Sequence, residues 1–203
     1  MEEYEVIWDE GEAKELYELA SIFLKERQNI WNALLTRIKK DPASFEDEDT
    51  DEYDITEILQ DECGDLTHGK LRDIFIRFLN GEGLVEYVDW KGEDEEGQLA
   101  NFAAERYSSL TNGDNEAQQL KSHLLQITQY VEIEKVWQKG SSYTEEVFWR
   151  IQQELNARGF TMASLNDGSD TYNIFVLSTA DYNKIADEFT CKHLDISVQD
   201  FFG

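Results

Sequence analysis

Carboxylates are the residues through which this chain could do chemistry. Between Asp41 and Gly69 stand twelve Asp and Glu and no Lys or Arg, and the run centres on Glu46-Asp47-Glu48-Asp49-Thr50-Asp51-Glu52. Alternating oxygen ligands of this kind hold calcium in an EF-hand loop, which also needs a glycine at its sixth position and a glutamate at its twelfth. Counted from Asp47, those positions are Glu52 and Ile58; counted from Glu46, the twelfth is Glu57 but the glycine is still missing. The run fits a solvated, self-repelling loop better, or one that imitates a polyanion for a basic partner.

Softer ligands are sparse. Cys191 and His193 are one residue apart, and only the fold could bring Cys63 and His68 to them to complete the four ligands that zinc prefers. No CxxC or HxxxH pair occurs, and buried free thiols are the ordinary alternative. Nucleophilic catalysis lacks a frame, since there is no GxSxG elbow. The three histidines, His68, His123 and His193, offer few general bases. His123 stands beside Leu124 and Leu125 in a helical pattern and reads as a surface or satisfied histidine. Phosphate cradles of the GxGxxG or GxxxxGK type are absent. Asp167-Gly168-Ser169-Asp170 could present two carboxylates to a cation, but the same residues are ordinary hairpin-turn chemistry. No catalytic residue, metal ligand or cofactor is assigned.

Five tryptophans could supply apolar anchors to a recognition surface. Trp31 and Trp149 lie in amphipathic patterns, so core burial is their default. Trp8 and Trp90 sit beside acidic clusters and are the better anchors. The candidate partner-binding set is therefore Trp8, Glu46, Asp47, Glu48, Asp49, Asp51, Glu52 and Trp90.

The elements that would position these residues are readable from periodicity. Leu16, Leu19, Ala20, Phe23 and Leu24, continued by Ile30, Leu34, Leu35 and Ile38, mark a helical stretch over about 12–40. Lys39-Lys40 suits its carbonyl end, and Pro42 marks the exit. Whether Gln28-Asn29 divides the stretch is left open by the pattern. A short helix over Ile55–Cys63 and another over Leu71–Asn80 follow, the latter stopped at Asn80-Gly81-Glu82-Gly83. Leu84 to Trp90 reads as a strand. Helices are expected near 95–110 and from about 116. Val131, Ile133 and Trp137, at even spacing, predict a strand after the second of these. Ser141-Ser142 can cap a helix that ends at Arg158-Gly159. Phe160–Leu165, which alternates, and the buried strand Tyr172–Leu177 then form a hairpin about the Asn166–Asp170 turn. A helix near Asp181–Phe189 and a strand around His193–Ile196 complete the pattern.

This order predicts an α+β protein, with helices packed on a small, mainly antiparallel sheet. Residues 1–80 form a helical acidic N-terminal part and 81–203 an α+β domain, within one compact unit. Against 18 Lys and Arg stand 44 Asp and Glu, a formal net charge of -26. Such a balance argues against phosphate-backbone binding and against adsorption to anionic membranes. It does not make the chain disordered, because 40% of residues are hydrophobic and there is a single proline. The start Met1-Glu2-Glu3-Tyr4-Glu5 is acidic where an export signal would be basic, and two distant cysteines in such a chain are expected reduced. A cytoplasmic location is expected.

Two blocks carry a resemblance. Val88-Asp89-Trp90-Lys91-Gly92 closes a strand. Leu155-Asn156-Ala157-Arg158-Gly159-Phe160 is followed by Asp167-Gly168-Ser169-Asp170-Thr171-Tyr172-Asn173-Ile174-Phe175-Val176-Leu177. Together they resemble an uncharacterised family of bacterial proteins, a domain of unknown function, over about residues 84–190. The resemblance implies a small α+β domain of bacterial origin and no particular activity. It leaves residues 1–80 uncovered, as an elaboration. In size, charge and lack of a catalytic motif the chain also resembles acidic immunity proteins that inhibit nuclease toxins. A non-catalytic interaction protein with a basic protein partner is the leading expectation. An enzyme using a carboxylate-held divalent cation is the alternative, to be recognised by Asp and Glu converging on a pocket.

Overall fold

The computed structural model describes residues 10–45, 51–60, 70–89, 91–134, 142–188, 190–191 and 196–199. The chain divides into two compact units, Met1–Gly83 with Thr190–Ile196, and Leu84–Phe189 with Ser197–Gly203.

The first unit is helical. Helix α1 spans Glu10–Leu24, a 3-10 turn takes Lys25–Arg27, and α2 spans Gln28–Lys40. The long amphipathic stretch is therefore two helices, divided three residues before Gln28-Asn29. Lys25 adopts a φ of 52°, a left-handed backbone that no α-helix can continue through. The Gln28 side-chain amide then donates to the Tyr17 carbonyl at 2.9 Å, tying the second helix back to the first. Pro42–Phe45 form a further 3-10 turn, and α3 (Ile55–Gln60) and α4 (Lys70–Gly81) follow. Helix α1 packs on α2 and α4. Trp31, 0% exposed, sits between Phe75 (4.9 Å between ring centroids) and Phe78 (5.2 Å). Phe23 meets the edge of Phe75 at 6.5 Å. Each such fully buried apolar side chain contributes roughly 1.5–3 kcal/mol.

The second unit carries the sheet. Its elements are β1 (Val85–Asp89), α5 (Gln98–Thr111), α6 (Asp114–Glu134), α7 (Tyr143–Asn156), β2 (Phe160–Asn166), β3 (Thr171–Ser178) and α8 (Thr179–Glu188). Last in the chain come β4 (Thr190–Cys191), which belongs to the first unit, and β5 (Ile196–Gln199), whose residues from Ser197 on belong to the second. The strand order β1-β3-β2-β5 is antiparallel throughout, with Val85 opposite Phe175, Ala163 opposite Phe175, and Leu165 opposite Val198. Val88, Met162, Ile174 and Val176 bury one face against α5, α6 and α7, through Leu99, Phe102, Leu124, Val147, Phe148 and Ile151. The expected α+β class, with a helical N-terminal part and a small antiparallel sheet, is the observed one.

Two expectations need correction. Val131 and Ile133 do not begin a strand: α6 runs on to Glu134, and Trp137 lies outside the described residues. Leu120, Leu124, Thr128 and Val131 are all buried at helical spacing, so one face continues through the place where alternation seemed to start. Strand β2 does not alternate; all residues from Thr161 to Leu165 are buried, because both faces of the hairpin are covered. Of the strand expected around His193–Ile196, residues 193–195 lie outside the described residues, and Ile196 opens a strand that runs to Gln199.

Ser142 caps α7 in a full capping box: its hydroxyl accepts from the Glu145 amide at 3.2 Å, and Glu145 accepts from the Ser142 amide at 2.8 Å. On β1, the Tyr87 carbonyl accepts from the Gln98 side chain at 2.8 Å, and the Asp89 carbonyl accepts from the Gly92 amide at 3.1 Å. These bonds occupy carbonyls that another strand could otherwise pair with.

Candidate functional site

The acidic run was the first candidate for chemistry, and the described residues on either side of it are pinned. On the N-terminal side, Phe45 is buried and the Arg37 guanidinium lies 3.8 Å from the centre of its ring. Arg37 also donates to the Ser44 hydroxyl and carbonyl, both at 2.7 Å, and the Thr56 hydroxyl donates to the Phe45 carbonyl. On the C-terminal side, Asp51 accepts from the Ile55 amide through Oδ1 and from the Thr56 amide through Oδ2, each at 2.7 Å. Those two amides open α3 and have no partner within the helix, so Asp51 caps it. With both oxygens so used, Asp51 has a structural role; Glu52 beside it is exposed. Trp8, Glu46, Asp47, Glu48, Asp49 and Trp90 lie outside the described residues.

Tyr53 extends the anchorage. Its ring packs edge-on against Phe78 at 5.1 Å and lies over Gly81, where a Cβ would come within 2.6 Å of the ring. Its hydroxyl donates to Glu82 Oε1 at 2.7 Å, while Arg27 binds the other oxygen of Glu82. Burial pushes the Tyr53 hydroxyl above its ordinary pKa, the Glu52 charge adds to this, and Arg27 opposes both. Arg77 donates to Glu57 at 2.6 Å and to the Asp54 carbonyl at 3.1 Å.

A second group of carboxylates surrounds Glu93, in the loop before α5. Gly97 precedes that helix with a φ of 77° and no side chain to cap it, and a Cβ there would come within 2.4 Å of Leu125. Glu93 reaches across instead: its Oε1 accepts from the Leu99 amide at 2.7 Å, and its Oε2 from the Tyr143 hydroxyl at 3.1 Å. Burial raises the Glu93 pKa, against the lowering effect of the Leu99 and Gly97 amides and of Tyr143; the charge of Glu132 raises it further. The Tyr143 hydroxyl is in turn held well above its usual range, by burial first and then by Glu93, Glu132 and Glu96. Gln129 of α6 donates to Glu96 at 3.4 Å. In the sequence this loop reads only as a charged turn. The signal that marks it is the absence of a capping side chain at Gly97.

Other candidates find local partners. Asn166 Oδ1 accepts from the Gly168 amide at 2.9 Å and Asp167 Oδ1 from the Ser169 amide at 3.0 Å, the self-satisfied chemistry of a hairpin turn. His123 lies 3.3 Å from Glu154 Oε1, and Arg158 lies 2.9 Å from Oε2. Burial works to raise the Glu154 pKa, but Arg158 and His123 outweigh it and hold the group below its ordinary value. Trp149 is half-buried rather than in the core; Arg150 lies 5.8 Å from its ring and 5.6 Å from that of Tyr130, which is 49% exposed. Among the described residues no three His, Cys, Asp or Glu are grouped to hold a metal ion. Cys63, His68 and His193, and the side chain of Cys191, lie outside them.

With this geometry in view, the chain can be classed. Residues 15–201 match the family described as domain of unknown function DUF6630, and the protein belongs to that family. The match extends the expected resemblance in both directions. Helices α1–α4 are thus part of the family's own domain and not an elaboration of it. No curated protein and no solved structure matches the chain. Among the described residues no helix is long and apolar enough to cross a membrane.

Proposed function

We propose that this protein works by binding rather than by catalysis, as the acidic partner of a basic protein, in the manner of an immunity-type inhibitor. The observation that carries the reading is the cation-free run Glu46 to Glu52, held just before its start at Phe45, whose carbonyl accepts from Thr56, and near its end at Asp51, which accepts from the Ile55 and Thr56 amides. Residues already fixed before binding lose less entropy when a partner engages them. A surplus of 26 negative charges steers a cationic protein toward it and speeds association. In this reading Glu46, Asp47, Glu48, Asp49 and Glu52 meet Lys and Arg of the partner, and Trp8 or Trp90 supplies an apolar anchor. Asp51 contributes charge, while its oxygens stay with α3. The site of action is the cytoplasm, and nucleic acid and membranes are not partners.

The test is affinity capture from the native cell's lysate at low and high salt, with the wild type and an Asp47→Asn/Asp49→Asn variant. Asp51 is left intact so that α3 keeps its cap. The expected result is a basic protein held at low salt, lost at high salt and lost with the variant. Purified, it should associate with a rate that falls steeply with ionic strength. Capture that ignores both salt and the variant, or no capture at all, overturns the reading. The alternative, an enzyme using a carboxylate-held divalent cation, would then be tested next, with no three candidate ligands grouped among the described residues to hold the ion. A thermal shift with magnesium or manganese would support it.

A further inference from the structure

We draw no further inference here: the strongest candidate, the acidic patch where the loop carrying Glu93 and Glu96 meets Glu132 of α6, is a carboxylate cluster whose one desolvated member is already satisfied by the Leu99 amide and the Tyr143 hydroxyl, and nothing in the structure shows what would cover it.

Discussion

Glu93 bears its charge in a place that disfavours it. Its pKa in the folded protein is raised, so the folded state binds a proton more readily than the unfolded one. Its contribution to stability therefore grows as pH falls from neutral through the raised value, and is complete below the ordinary value of 4.5. Glu93→Gln imitates the protonated form and keeps an oxygen for the Leu99 amide. In paired thermal melts the variant should be the more stable at pH 7, with the difference closing toward pH 4.5. A difference that stays constant with pH would show that the charge is well solvated. Thr144 poses a simpler case: it is 0% exposed and its hydroxyl has no hydrogen-bond partner among the described residues. Thr144→Val removes the unmatched group at nearly constant shape, so stability should hold or rise by up to about 1 kcal/mol. A loss larger than that, in denaturant titration, would mean that the hydroxyl is bonded after all. At this scale the sequence was partly readable. Asp51 reads in the sequence as one of a run of charges for a partner, and its capping role was hidden, because Asp54 stands directly before the first helical residue and Asp51 four residues before it.

Elements were more legible than single residues. The apolar stripes of α1, α2, α4 and α7, and the turn residues between β2 and β3, fix type and order before any coordinates are consulted. Helix α6 shows why the rest was not. Thr128 interrupts its apolar stripe in the sequence, yet the hydroxyl donates to the Leu125 carbonyl at 2.9 Å and the side chain is buried like its apolar neighbours. A polar residue that satisfies itself within its helix reads as a break although the buried face continues. The division between α1 and α2 rests on a left-handed lysine, which composition does not announce. Ser142 is the opposite case, its Ser-x-x-Glu spacing being visible in the sequence. Ser142→Ala should cost about 1 kcal/mol, measured as a lower denaturation midpoint with an unchanged slope. An unchanged midpoint would show that solvent serves the α7 amides equally well.

For the molecule as a whole, the net charge of -26 fixes behaviour that no single contact does. Carboxylates repel one another in the compact state, and added salt relieves this, so a thermal midpoint that rises between low and physiological ionic strength is expected. A midpoint indifferent to salt would mean that the charges are already spaced beyond effective repulsion. Charge and composition were legible in full; the linkages between distant parts of the chain were not. The Tyr143 hydroxyl lies 50 residues along the chain from Glu93, yet that contact steadies the carboxylate which holds the first turn of α5. This sets an order of assembly. The later turns of α5 can form from local bonds alone, whereas the Tyr143 bond that steadies its opening turn is made only when α7 has arrived. In pulsed hydrogen exchange during refolding, the Leu99 amide should gain protection in step with α7 and after the middle of its own helix. The helix is then closed at its beginning by one of the last events in its formation.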